Sequence, residues 1–355
     1  MLGHVLPVKM RGFKKYPSAC SLLTFLLILK KKCDATVLYI CPGNLKWSST
    51  GTTIVGNGTF GPAPHQLARP MGLFIEPITQ ILYIADTSND RIQKYFPNGE
   101  LLTAAGDPNG KGGSALNRLS GPIAVYADQH QNLYISDFGN QRVQYWPNGA
   151  KSGFTLAGNG SDGPALNEFS YPTCLWVDSQ RNIFVADYKN HRVTQWPFST
   201  NRSSIGTIVA GGEGQGNNPT QLNNPIGIQL DETNAILYIA NEGAHAVTQY
   251  GLGSYREHNI YAGIPGRAGN SAVQLFDPSG ITFDRYGNLY IADSGNNRIQ
   301  MFCPNSVYGI TVAGTGQSGS GPDQLDNPQG VALDAELNLY VTDTLNNRVQ
   351  KFQKI

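Results

Sequence analysis

The sequence predicts an all-β protein, a closed ring of six four-stranded antiparallel sheets. Three observations predict it: a stretch of about fourteen residues recurs six times, each copy is embedded in four short strand signals, and the strand order at the two ends is complementary. The copies are LYIADTSNDRIQKYF (82–96), LYISDFGNQRVQYW (133–146), IFVADYKNHRVTQW (183–196), LYIANEGAHAVTQY (237–250), LYIADSGNNRIQMF (289–302) and LYVTDTLNNRVQKF (339–352). Asp86, Asp137, Asp187, Asn241, Asp293 and Asp343 are equivalent, separated by 51, 50, 54, 52 and 50 residues. A proline precedes each unit (Pro70, Pro122, Pro172, Pro225, Pro278, Pro328), and a glycine closes TIVG, TAAG, TLAG, TIVAG, IYAG and TVAG.

Each element follows from its residues. In the fifth unit, SGITFD (279–284), LYIAD (289–293), RIQMF (298–302) and GITVAG (309–314) are short runs that alternate or are wholly apolar. They end at Gly, Asn or Pro, as buried strands do. After residue 36 no run of ten residues has helical periodicity. Four-stranded units of this length are propeller blades. The chain ends on a third strand, RVQKFQKI (348–355), while GTTIVG (51–56) is a fourth strand without a preceding blade. The expected fold is a six-bladed β-propeller closed by this N-terminal strand, with VLYIC (37–41) left unplaced.

Composition agrees. Glycine (41), Tyr (17) and Phe (14) are plentiful, and 14% of residues are charged. Seven basic residues and no acid fall in residues 1–33, so the remainder is net acidic. That argues against a nucleic-acid partner, which needs a basic footprint. Residues 1–35 read as a signal peptide, with basic residues before the apolar run 19–29 and a cut after Ala35. The run is too short for a stable membrane span, and an uncleaved anchor is the alternative. Residues 36–50 form a lead-in and 51–355 the repeat domain. Secretion makes Asn57, Asn159 and Asn201, each in an Asn-x-Ser/Thr triplet, glycosylation sites. Cys41, Cys174 and Cys303 match no zinc spacing and no disulfide framework.

The pattern P-x-G-[IV]-x-x-D … N-L-Y-[IV]-A-D-x-x-N-x-R-[IV]-Q resembles the NHL repeat, which forms six-bladed propellers, over residues 51–355. Copy four departs, with Asn241, Ala244 and Ala246 replacing the acid, asparagine and arginine. The resemblance implies an interaction domain, here a monomeric, non-catalytic scaffold for a protein, peptide or glycan partner. It also extends to amidating lyases that hold zinc with tunnel histidines, which gives the alternative of a metal-dependent lyase or hydrolase.

The pairs Asp86/Arg91, Asp137/Arg142, Asp187/Arg192, Asp293/Arg298 and Asp343/Arg348 recur in every blade but the fourth. A repeated pair suits a structural brace, for which Asp293→Asn is expected to cost about 1 kcal/mol. G-x-G-x-x-G at Gly56, Gly158 and Gly314 leads into loops rather than helices, so no dinucleotide cofactor is expected. His65, His130, His191, His245 and His258 avoid the first strands, so no tunnel metal site and no cofactor are expected. Cys174 takes a glycine position and reads as a buried filler. The second hairpins and inter-blade loops share one face, where Phe138, Tyr188, Glu242 and Leu345 are the candidate binding residues.

Overall fold

The computed structural model describes residue 41 and residues 45–199, 205–253 and 258–355. The leader, the stretch 37–40 and Asn201 lie outside them. The described residues hold 24 strands in six four-stranded antiparallel sheets, and helix among them is confined to five single 3₁₀ turns. From the tunnel outwards, blade one consists of Leu73–Ile75, Leu82–Asp86, Arg91–Tyr95 and Leu101–Gly106. Blades two to six repeat this order, and their inner strands begin at Pro122, Pro172, Pro225, Pro278 and Pro328. Proline lacks an N–H and is tolerated at the first residue of a strand.

The core is divided among six seams. In the second strand of blade one, Leu82 and Ile84 face the seam with blade six, while Tyr83 and Ala85 face the seam with blade two. Successive side chains of a strand point to opposite sides, so a blade packed on both faces needs a wholly apolar second strand. The run LYIAD meets that need, and all five of its residues are buried. Where inner strands crowd together, small residues are required. A Cβ on Gly227 would stand 2.2 Å from the Ser279 carbonyl oxygen of the next blade.

Blade six takes its outermost strand from the start of the domain. Thr52–Val55 pairs antiparallel with Arg348–Phe352, with Thr52 opposite Lys351 and Val55 opposite Val349. The lead-in is attached at the same place. Trp47 bridges to Lys354, its indole N–H donates to the Leu337 carbonyl at 2.8 Å, and its ring meets Tyr290 edge-on.

Cys41 and Cys303 are joined by a disulfide, their Cα atoms 5.4 Å apart across 262 residues of sequence. This link ties the lead-in to the end of the third strand of blade five, and it closes most of the ring within one covalent loop. Reduction, or Cys303→Ser, is expected to lower stability by about 2–4 kcal/mol. Denaturant midpoints of oxidised and reduced protein measure this, and identical midpoints would deny the cross-link a part in closure.

Candidate functional site

The second hairpin of each blade is built around the recurring acid. Asp86, Asp137, Asp187, Asp293 and Asp343 end second strands directly opposite Arg91, Arg142, Arg192, Arg298 and Arg348. In every pair the arginine Nε donates to Oδ2 at 2.7 Å. In blade five the same carboxylate also accepts Phe276 N–H at 2.7 Å and the Asn296 amide at 2.9 Å. The rest of the Arg298 fork donates to the carbonyls of Asn270, Ser271 and Gln274, in the loop that arrives from blade four. Each brace therefore fastens an inter-blade loop to a hairpin. Burial pushes the carboxyls of Asp86, Asp187, Asp293 and Asp343 upward, opposed by these donors and by arginine. No carboxylate oxygen of the blade-five brace is left to hold a ligand.

Blade four departs as its sequence does. Asn241 accepts Asn223 N–H at 2.5 Å, and Ala246 stands opposite with no charge to offer.

The glycine triplets are part of the same fixture. Gly56, Gly158 and Gly314 have φ of 84°, 80° and 79°, which turns the chain out of an outer strand. The third glycines, Gly61, Gly163 and Gly319, each accept an amide hydrogen bond from Asn89, Asn190 and Asn346.

A second recurring contact spans neighbouring blades. The left-handed residue that ends each second-hairpin turn accepts the N–H of the residue preceding the next blade's proline. Asp90, Gln141, Asn297 and Asn347 do so through side-chain oxygens, to Gly121, Tyr171, Asn327 and Arg69. His191 and His245 do so through Nδ1, to Asn224 at 3.1 Å and Asp277 at 3.3 Å. A protonated imidazole cannot accept, so the His191 latch, between blades three and four, is titratable. Burial, and then Lys189, lower His191 below its ordinary value of 6.5. The unfolded chain therefore takes up the proton more readily, so this latch contributes fully above that pH and is lost as pH falls below it. His191→Asn, which copies Asn297 and Asn347, is expected to flatten the decline of stability between about pH 7.5 and about pH 5.5. Unfolding midpoints at the two pH values test this, and equal declines in both proteins would count against the latch.

Of the candidate binding residues, Tyr188 and Glu242 are in direct contact. Phe138 is half-buried and stacks on Tyr171 of the next blade, ring centroids 4.8 Å apart. The Tyr188 hydroxyl donates to Glu242 at 2.6 Å, which joins blades three and four. Leu345 on blade six is 48% exposed and stands apart from the other three. Asn57 and Asn159 are exposed at the starts of equivalent inter-blade loops.

The inner strands enclose a tunnel with a cavity of about 280 Å³. Its wall includes Leu73, Val125, Cys174, Leu175, Ile228 and Ile281, and no His, Asp or Glu is among the described residues lining it. Burial pushes the Cys174 thiol up to about 11, which keeps it protonated and weakly reactive. His65 and His130 are exposed, and His191 and His245 are engaged in the latches. The described residues contain no group of three His, Cys, Asp or Glu able to hold a metal ion.

Six blades around an apolar tunnel, five of them carrying the Asp–Asn–Arg fixture, define a six-bladed β-propeller. The chain carries NHL repeats. The NHL repeat family matches residues 169–196, 277–302 and 325–352, which run from inter-blade loop to third strand in blades three, five and six. NHL repeat-containing protein 3 of Mus musculus is 27% identical over 105 residues, which cover 28% of this chain and 29% of that protein. The match thus spans less than a third of the curated relative.

Among solved structures, an auxiliary nutrient binding protein from Bacteroides thetaiotaomicron superposes with a TM-score of 0.65 at 14% identity, covering 87% of this chain and 77% of that one. A gluconolactonase from Xanthomonas campestris gives 0.63 at 14% identity, covering 91% and 96%. At such identities the likeness is one of fold.

Proposed function

We propose that the propeller is a non-catalytic, secreted scaffold that binds a protein, peptide or glycan partner on the face carrying its second hairpins and inter-blade loops. The observation that supports this is the composition of the tunnel wall, which offers no carboxylate or imidazole for acid–base or metal chemistry. The five brace aspartates and arginines, His191 and His245 are engaged in the braces and latches. The disulfide supports an oxidising compartment, and exposed Asn57 and Asn159 are suited to carry glycans there.

Neighbours named for a bound nutrient and for a lactonase keep a second reading in view, that of a tunnel hydrolase or lyase. Purified protein is expected to contain no stoichiometric transition metal and to leave lactones intact. Either positive result would move the assignment to the enzyme.

Within the scaffold reading, the double change Phe138→Ala and Tyr188→Ala is expected to weaken the partner by more than about 2 kcal/mol. Melting temperature is the necessary companion measurement, because both rings also contact the next blade. Weakened binding together with a large fall in melting temperature would assign both rings to the frame.

A further inference from the structure

The tunnel wall is uneven in a way the repeat does not require. The fourth residue after each blade's proline lines the cavity, and in blades one to three it is Phe74, Tyr126 and Trp176. In blades four to six it is Gln229, Thr282 and Ala332. The aromatic side is continuous, since the Tyr126 ring lies 4.7 Å from Phe74 and 5.6 Å from Trp176 between centroids. Gln229, Thr282 and Ala332 complete this level of the wall, and no charged residue is among the described residues lining the cavity.

Trp176 adds a polar feature. Of the four tryptophans, Trp47, Trp146 and Trp196 donate their indole N–H to Leu337, Ala150 and Thr194. The Trp176 N–H is buried and has no acceptor among the described protein atoms. A buried donor without a partner is a cost that native folds avoid unless something completes it. We infer that the tunnel is a binding site for an uncharged, flat, largely apolar molecule of about two fused rings bearing one acceptor oxygen, which takes the Trp176 N–H.

Size and charge set these limits. A dry apolar cavity of about 150 Å³ holds one benzene, so about 280 Å³ has room for a second ring. The described wall residues carry no charge to offset that of an ionised ligand, which would lose its hydration on entering. The site lies within the ring of inner strands, and it stands whether or not a protein docks on the loop-bearing face.

The test uses the intact oxidised protein and equilibrium dialysis against 2-acetylnaphthalene and its charged analogue 2-naphthoate. The ketone is expected to bind saturably at one site, with the carboxylate weaker by about tenfold or more. Trp176→Phe keeps the ring and removes the donor, and it is expected to weaken the ketone about fivefold. Melting temperature should be unchanged. Non-saturable uptake of the ketone, equal binding of the two probes, or undiminished affinity in a folded Trp176→Phe protein would each overturn the assignment. Should that variant fold poorly, the wild-type comparison of ketone and carboxylate decides.

Discussion

Removing residues 1–60 is expected to abolish cooperative melting and leave an aggregating chain, although no complete repeat is lost. The deletion takes away the outer strand of blade six, whose Thr53 hydroxyl donates to Gln350 at 3.2 Å and whose neighbour Gly51 donates its N–H to Pro322. It also removes Trp47, Val55 and the Cys41–Cys303 link. Burial of the two side chains contributes about 1.5–3 kcal/mol each, and the disulfide about 2–4 kcal/mol. Domains of ordinary stability have about 5–15 kcal/mol in all. The third strand of blade six would then be an open edge, with ladder groups free to pair with another chain. Size-exclusion chromatography and a thermal scan decide the matter. A soluble, cooperatively melting fragment that starts at Gly61 would refute the closing role of Thr52–Val55. Comparison with Cys41→Ser separates the strand from the disulfide, since that variant keeps all four strands of blade six.

What could be read in advance, and what could not, divides along sequence distance. The blades were legible because each is a local unit of about fifty residues whose alternation, turns and Asp–Asn–Arg spacing repeat. The departure of blade four was legible for the same reason, at Asn241, Ala244 and Ala246. Contacts made only by closure were not. Cys41 and Cys303 are 262 residues apart, and three cysteines beyond the leader gave no pairing by count. The inter-blade latch was hidden because its acceptor changes from Asp90 to Gln141, His191, His245, Asn297 and Asn347. The common property is an oxygen or nitrogen lone pair at one backbone position, a pattern that residue names disguise. Phe138 and Tyr188 read as candidate binding residues that could equally pack on the next blade, and nothing local names Tyr171 and Glu242 as the residues they meet there.

Arg298→Ala is expected to destabilise the protein by about 3–5 kcal/mol, because it leaves the Asp293 carboxylate buried without its charge partner. The loss is larger than the approximately 1 kcal/mol that a half-exposed cross-strand pair would give, and burial is the reason: Asp293 is 0% and Arg298 8% exposed. Loss of the arginine also leaves the loop carbonyls of Asn270, Ser271 and Gln274 without their donor. Asp293→Asn has the converse effect, leaving the guanidinium Nε without its acceptor. Blade four shows that the position tolerates a neutral pair, since Asn241 there keeps the backbone N–H bond and faces Ala246. The double variant Asp293→Asn/Arg298→Ala transplants that arrangement into blade five. It is expected to be more stable than the sum of the single losses implies, by about 0.5–3 kcal/mol of coupling. Denaturant unfolding of the four proteins measures the cycle. Strict additivity would mean that the two side chains act on the loop independently, and that the brace is not a paired device.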